Sequence, residues 1–278
     1  MILILMKLKR GIDQMGKTLD NKVVAITGAS SGIGKSIALE CAKNGATLIL
    51  MSRSIEKLNS VAKAVQSLSQ APVYVYATDV RKVDQIDMTV DRIKHIVGRV
   101  DYLVNAAGFG IFEDFMHMDI NTCEDMFQTN VIGLMYLTRL LAGMMIDQRN
   151  GQVINFGSLA GKVPTVKSAV YSATKAAVIQ FSNVLRLELK PFNVKVLTVN
   201  CGPVKTNFFN IADKSGNYLS NVDRFMLNSD YVAKRVVKLF GCSVRELNLP
   251  FSLAALARLY QLCPTLGDWA SIKFASKK

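Results

Sequence analysis

Three residues of this 278-residue chain could do acid–base chemistry together: Ser158, Tyr171 and Lys175, within GSLAGKVPTVKSAVYSATK. A free Tyr has a pKa of about 10 and is a poor acid at neutral pH. A Lys four positions later on a helix lies on the same face, one turn along. Its charge favours the phenolate and moves the phenol toward the useful range. A Ser hydroxyl from a neighbouring element could polarise a carbonyl beside that Tyr. The combination suits proton transfer coupled to ketone reduction or alcohol oxidation. Taken alone, Tyr-x-x-x-Lys is more often an ordinary helix face. The chemistry needs a cofactor site elsewhere in the chain.

Such a site is legible in DNKVVAITGASSGIGKSIALECAKNGATLILMSRS. A short β-rich run ends at Thr27, and a glycine turn of spacing G-x-x-x-G-x-G follows (Gly28, Ala29, Ser30, Ser31, Gly32, Ile33, Gly34). Helix-forming residues fill 36–43, Gly45 closes the helix, and a second strand covers 47–51. The glycines permit tight geometry and close approach of a pyrophosphate. Free N–H groups at the helix start favour that anion. An acidic residue about 20 positions on would bind the ribose 2′-hydroxyl of NAD. Here the second strand runs into Leu50-Met51-Ser52-Arg53-Ser54 with no carboxylate. Arg53 suits a 2′-phosphate through a charge-assisted contact, with Ser52 and Ser54 adding hydrogen bonds. NADP(H) is therefore expected over NAD(H).

The ordered series of motifs resembles the short-chain dehydrogenase/reductase family over about residues 20–250. TGASSGIG at 27–34 is similar to its cofactor turn. Asp79-Val80 matches its adenine-contacting pair, and Asn105-Ala106-Ala107-Gly108 matches its NAAG signature. Asn130 matches its helix-borne catalytic Asn, and Ser158, Tyr171 and Lys175 its remaining catalytic residues. Gly202-Pro203-Val204 with Thr206 resembles the stretch flanking the nicotinamide, with Cys201 where the family often has Pro. The resemblance implies that Tyr171 donates a proton to the substrate oxygen and Ser158 hydrogen-bonds it. It implies that Lys175 binds the nicotinamide ribose and that Asn130 holds a water linking Lys175 to solvent. A homo-oligomer with an interface on helices around 122–146 and 168–189 is implied as well.

The elements that must position these residues follow from patterning. Strand-like runs at 23–27, 47–51, 73–77, 102–105, 152–156 and 194–199 alternate with helical stretches, and a seventh is expected near 244–249. That alternation predicts an α/β fold: one doubly wound Rossmann domain, with a parallel sheet of about seven strands covered on both faces. The expected organisation is an N-terminal extension over 1–20, the Rossmann domain over 21–250 and an amphipathic tail over 251–278. Residues 1–14 read as a mobile extension or a product of start-site choice. No stretch approaches the roughly 20 apolar residues that span a bilayer.

Formal net charge is +13, and residues 1–22 and 251–278 each contribute +3. Solvated charge explains this first and attraction to an anionic membrane surface second. No aromatic–basic interleaving points to nucleic acid. Five cysteines without metal spacing read as free thiols of a reducing, cytoplasmic setting, and no metal site is expected. In the tail, Leu253, Leu256, Leu259, Tyr260 and Leu262 recur at helical spacing before Pro264. The first reading is a helix packed on the domain or at a subunit interface. The alternative is an apolar flap by the active site or a peripheral membrane contact. Residues 205–228, with Phe208, Phe209, Ile211, Tyr218, Leu219, Phe225 and Met226, read as a partly apolar lid. The expected activity is NADP-dependent carbonyl reduction or alcohol oxidation on a hydrophobic small molecule. A 3-oxoacyl thioester reductase and a non-catalytic dinucleotide sensor are the alternatives.

Overall fold

The structure is a computed structural model that describes residues 18–213, 226–265 and 267–268. Residues 1–17 of the N-terminal extension, half of the predicted lid, including Tyr218, Leu219 and Phe225, and residues 266 and 269–278 of the tail lie outside the described residues.

Seven parallel strands form one sheet: β1 (Val23–Thr27), β2 (Thr47–Ser52), β3 (Val73–Ala77), β4 (Tyr102–Asn105), β5 (Gly151–Phe156), β6 (Val194–Cys201) and, after a two-stranded annex, β9 (Glu246–Leu249). Their order is β3-β2-β1-β4-β5-β6-β9, with every neighbour parallel. The chain winds outward from β1 in one direction, then crosses to β4 and winds in the other. That reversal opens a crevice at the carboxyl ends of β1 and β4, where α/β folds bind ligands.

Burial on both faces explains the continuous apolar strands, such as VVAIT and TLILM. Alternate residues still serve different layers. Val24, Ile26, Leu48 and Leu50 pack with Ile37 and Cys41 of α1 (Gly32–Lys43), Leu58 and Val61 of α2 (Ile55–Gln66), and Val232 and Val236 of α8 (Ser229–Val237). Val23, Ala25, Ile49 and Met51 pack with Ile86, Val90 and Ile93 of α3 (Val83–Ile96) on the other face. Leu137, Leu141 and Met145 of α5 (Gly133–Asp147) join them there.

α4 (Ile120–Phe127) runs into α5 through a π-helical turn at Gln128–Ile132. The whole run Ile120–Asp147 is long and apolar enough by composition to cross a membrane. Half of its most apolar window is buried against the sheet and α6 (Ala169–Glu188), as in a core helix. Helix α1 starts at Gly32, four residues before the run of good helix formers, so the glycine turn itself supplies the first helical turn. The segment after β6 is not simply a loop. β7 (Val204–Lys205) pairs with β8 (Leu227–Asn228), and α7 (Phe208–Ala212) follows β7. The predicted tail helix is α9 (Phe251–Leu262).

Candidate active site

The glycine turn is built for close backbone approach. Gly28 has φ of +65°, and a Cβ there would sit 2.8 Å from the Ala106 carbonyl oxygen. A Cβ at Gly34 would overlap the Gly28 carbonyl oxygen. A Cβ at Gly32 (φ +51°) would meet the Thr206 methyl at 3.3 Å, so the β6 loop closes over the turn from the opposite side. Ser31 caps α1 with no side-chain hydrogen bond, and the first turn of α1 holds no acid. The helix N–H groups therefore face the crevice free to meet an anion. Thr27 anchors the floor: its Oγ1 accepts from the Ala107 N–H at 3.0 Å, tying the end of β1 to the loop after β4.

One cleft of about 1500 Å³ runs from this turn past Tyr171 to α9. Gly28, the span Ser30–Gly34, Arg53, Asp79, Val80, Ala106, Gly108, Ser158, Tyr171, Lys175, Pro203, Val204 and Thr206 all line it. Two of the predicted residues do not. Asn105 is 2% exposed and lies beneath the cleft. Its amide donates to Thr138 Oγ1 at 2.9 Å and to Asn155 Oδ1 at 2.8 Å, so its side chain braces the sheet. Asn130, in the π turn, is 1% exposed. Its Oδ1 accepts from the Phe109 N–H at 3.0 Å, and its Nδ2 donates to the Phe109 carbonyl at 2.8 Å and to Thr174 Oγ1 at 3.1 Å. Both amide hydrogens are used, leaving one oxygen lone pair on the Gly108 and Lys175 side.

Ser158 follows β5 and is the N-cap of a 3₁₀ turn at Leu159–Gly161. Its hydroxyl accepts from the Ala160 N–H at 3.1 Å and donates to the Cys201 carbonyl at 3.3 Å. Tyr171 lies on α6, its ring edge-on to Phe112 and tilted against Phe208, with centroids 5.6 Å away in each case. Lys175 is one turn further, with Nζ 5.7 Å from the Tyr171 ring centroid. That Nζ donates to the Phe156 carbonyl at 2.8 Å. Burial lowers the ammonium from 10.5 to about 8, and the adjoining Cys201 opposes this weakly. Burial likewise pushes the Cys201 thiol up to about 12, which makes it an inert neighbour. The Pro expected by resemblance at 201 is not needed for rigidity. Cys201 pairs with Leu249 in the ladder, and the Gly202 N–H donates to the Leu249 carbonyl at 2.7 Å.

At the far end, Arg53 and Lys57 line the cleft together. Sequence reasoning missed Lys57. The signal was present in Ser54-x-x-Lys57, because Ser54 caps α2 by accepting from the Lys57 N–H at 3.3 Å. Ser54 lines the cleft too, and its hydroxyl donates to Glu56 at 2.8 Å. Asp79 is held by Arg81 through contacts of 2.7–3.1 Å, and Arg81 reaches on to Asp125 at 3.0 Å. The hydrogen bonds and charge of Arg81 outweigh desolvation and hold the Asp79 carboxyl below its ordinary range. Asp79, which lines this end of the cleft, is thus already paired.

A dinucleotide fits this arrangement: a glycine cradle that no side chain can fill, free helix N–H groups, and cations at the distal end. The short chain dehydrogenase family profile matches residues 22–215. This chain belongs to the short-chain dehydrogenase/reductase family. It is 34% identical over 192 residues to an NADP-dependent 3-hydroxy acid dehydrogenase of Schizosaccharomyces pombe, covering 68% of this chain and 74% of that one. It is 36% identical over 187 residues to a ketoacyl reductase of Nostoc sp., covering 67% of this chain and 65% of the other. The structure superposes on L-sorbose reductase from Gluconobacter frateurii, solved with NADPH and L-sorbose. The TM-score is 0.76 at 27% identity, over 84% of this chain and 97% of that one. The protein is an NAD(P)-dependent oxidoreductase acting on CH–OH and C=O groups.

Proposed function

We propose that this enzyme is an NADP-dependent carbonyl reductase whose substrate carbonyl is bound between Tyr171 and Ser158. The observation that carries the reading is the single cleft joining the glycine cradle to Ser158, Tyr171 and a buried Lys175. The turn at Gly28–Gly34 and the N-terminus of α1 would hold the pyrophosphate, Val80 and Asp79 would flank the adenine, and Lys175 would hold the nicotinamide ribose. When bound, the cofactor supplies the hydride; the protein supplies position and charge. The Tyr171 hydroxyl gives its proton to the carbonyl oxygen. Ser158, which now donates to a backbone carbonyl, turns its hydroxyl to the same oxygen. The Lys175 ammonium stabilises the phenolate left behind. Asn130 fixes the Phe109 backbone, and its spare lone pair can take a water that returns a proton through Lys175.

Arg53 and Lys57, with Asp79 already paired, support a 2′-phosphate and hence NADP over NAD. Exposed Phe127, Ile132, Val184 and Leu187 support a second copy docking along the α4–α5 and α6 helices. A 3-oxoacyl thioester is the second substrate reading, favoured by the likeness to the Nostoc ketoacyl reductase.

The test is oxidation of NADPH, with NADH in parallel, against ketones, aldehydes, keto-lipids and 3-oxoacyl thioesters. Turnover with NADPH that Tyr171→Phe abolishes, while cofactor binding persists, is expected. Undiminished turnover by the Phe variant overturns the proton-donor role. Equal rates with NADH overturn the cofactor preference.

A further inference from the structure

The catalytic cleft does not end at Tyr171. Its wall continues onto α9, a helix outside the segment matched by the family profile. Leu253, Leu256, Ala257 and Tyr260 all line it and recur at i, i+3, i+4 and i+7, the spacing of one helix face. Leu259, Leu262 and Cys263 extend this wall to a rim. From Leu253 to Cys263 the helix rises about 15 Å. The inner end abuts the catalytic loop: a Cβ at Gly202 would lie 3.0 Å from the Leu253 methyl. Val163, Pro164 and Val166 face the cleft from the loop after Ser158, and Phe208 and Ile211 from α7. So apolar side chains from three segments line the extension, with the polar Thr165, Lys167 and Asn207 among them, and it is continuous with the cleft that holds Tyr171 and Ser158.

The outer part of this wall is left uncovered by the described residues. Leu256 is 58% exposed and Leu259 62% exposed, although both line the cleft. Large apolar side chains left open in a continuous strip mark a surface that a partner covers. Continuity with the reaction centre identifies the partner as the substrate. A substrate that reacted only at its carbonyl and carried nothing further would leave the strip bare.

We infer that the enzyme takes an elongated lipophile: a carbonyl near one end of a long apolar skeleton that lies along α9. This rests on the carbonyl-reductase reading above and names its substrate class. An alkyl chain and a fused-ring skeleton share this chemistry, and the assay separates them.

The experiment measures kcat/KM with NADPH for a series of methyl ketones of rising chain length, alongside a steroid ketone. The wild-type enzyme is compared with the double variant Leu256→Asn, Leu259→Asn. Both positions are largely exposed, so the fold tolerates them, and circular dichroism checks this. Burying each added methylene raises kcat/KM by about two- to fourfold until the strip is covered. In the variant that slope falls toward one, whatever its rate on the shortest ketone. A steroid ketone that exceeds the best alkyl ketone, with the same loss in the variant, assigns the strip to a rigid skeleton. Turnover of short ketones with no chain-length slope overturns the inference and leaves the reductase standing. A slope that the variant keeps also overturns it, because the chain then lies elsewhere. If the variant instead loses the native oligomer in light scattering with its slope intact, a second copy owns the face. No turnover at any length overturns the parent reading, and the inference falls with it.

Discussion

Lys175 is expected to be a site where the fold gives up stability for chemistry, and Lys175→Met measures how much. Burial lowers its ammonium from 10.5 to about 8, yet at pH 7 it remains largely charged. At 1.36 kcal/mol per pKa unit, holding that charge in the fold costs about 3 kcal/mol. The Met side chain matches the length of the Lys stem and removes the charge. It also removes the 2.8 Å hydrogen bond to the Phe156 carbonyl, a loss of about 1 kcal/mol. The net expectation is a variant about 2 kcal/mol more stable at pH 7, which raises Tm by about 4–8 °C. The pH dependence gives a second signature. Between pH 8 and 10.5 the unfolded chain binds more protons than the native one, so wild-type stability rises with pH in that window. The variant has no such group. Its advantage is therefore full below pH 8, gone by about pH 9.5, and reversed by about 1 kcal/mol at pH 10.5, where the wild type keeps a neutral, hydrogen-bonded amine. Thermal and urea unfolding of both proteins without cofactor, from pH 6.5 to 10.5, tests this. A folded variant that melts at or below the wild type at pH 7 refutes the argument. A gap that stays constant with pH refutes it as well.

Other consequences are as direct. Arg53→Ala or Lys57→Ala should each raise the KM for NADPH by about tenfold, the worth of one charge-assisted contact, and leave NADH untouched; steady-state kinetics with both cofactors decides this. Gly34→Ala should remove dinucleotide binding by calorimetry, because the new methyl group overlaps the Gly28 carbonyl and forces the cradle open. Asn130→Ala strips three buried hydrogen bonds from Phe109 and Thr174 and should cost about 2–3 kcal/mol in urea unfolding, as well as lowering kcat.

Much of this enzyme could be read from its residues. The strands were legible because apolar runs such as VVAIT, bounded by turn residues, have few alternatives once helices separate them. The glycine turn was legible because its spacing reports a backbone constraint. What escaped was decided by partners distant in sequence. The side chain of Asn105 belongs to a motif that reads as ligand-facing. Its partners Thr138 and Asn155 lie 33 and 50 residues away, and nothing local reveals them. Lys57 and Arg81 escaped differently: each sits two to four residues from a predicted site residue, and local capping or pairing could have exposed it. The tail helix was expected from its periodicity. The cleft it faces was beyond reach, because a periodic stripe gives a face and not the surface opposite.

The buried polar seam under the cleft bears on how the sheet finds its alignment. Asn105 and Asn155 are opposite one another in the β4–β5 ladder and bond directly. Asn155 passes the chain of bonds to Ser182 on α6, and Asn105 to Thr138 on α5. In a sheet buried on both faces, neighbouring residues are nearly all Val, Leu and Ile, so apolar contact alone barely distinguishes one pairing from the next. A shift of β5 by one place would still set oil against oil, but it would break the Asn105–Asn155 and Asn155–Ser182 bonds in a dry interior. The seam therefore acts as an indexing pin in the folding search. It ties strand alignment to the seating of α6, the helix that carries Tyr171 and Lys175.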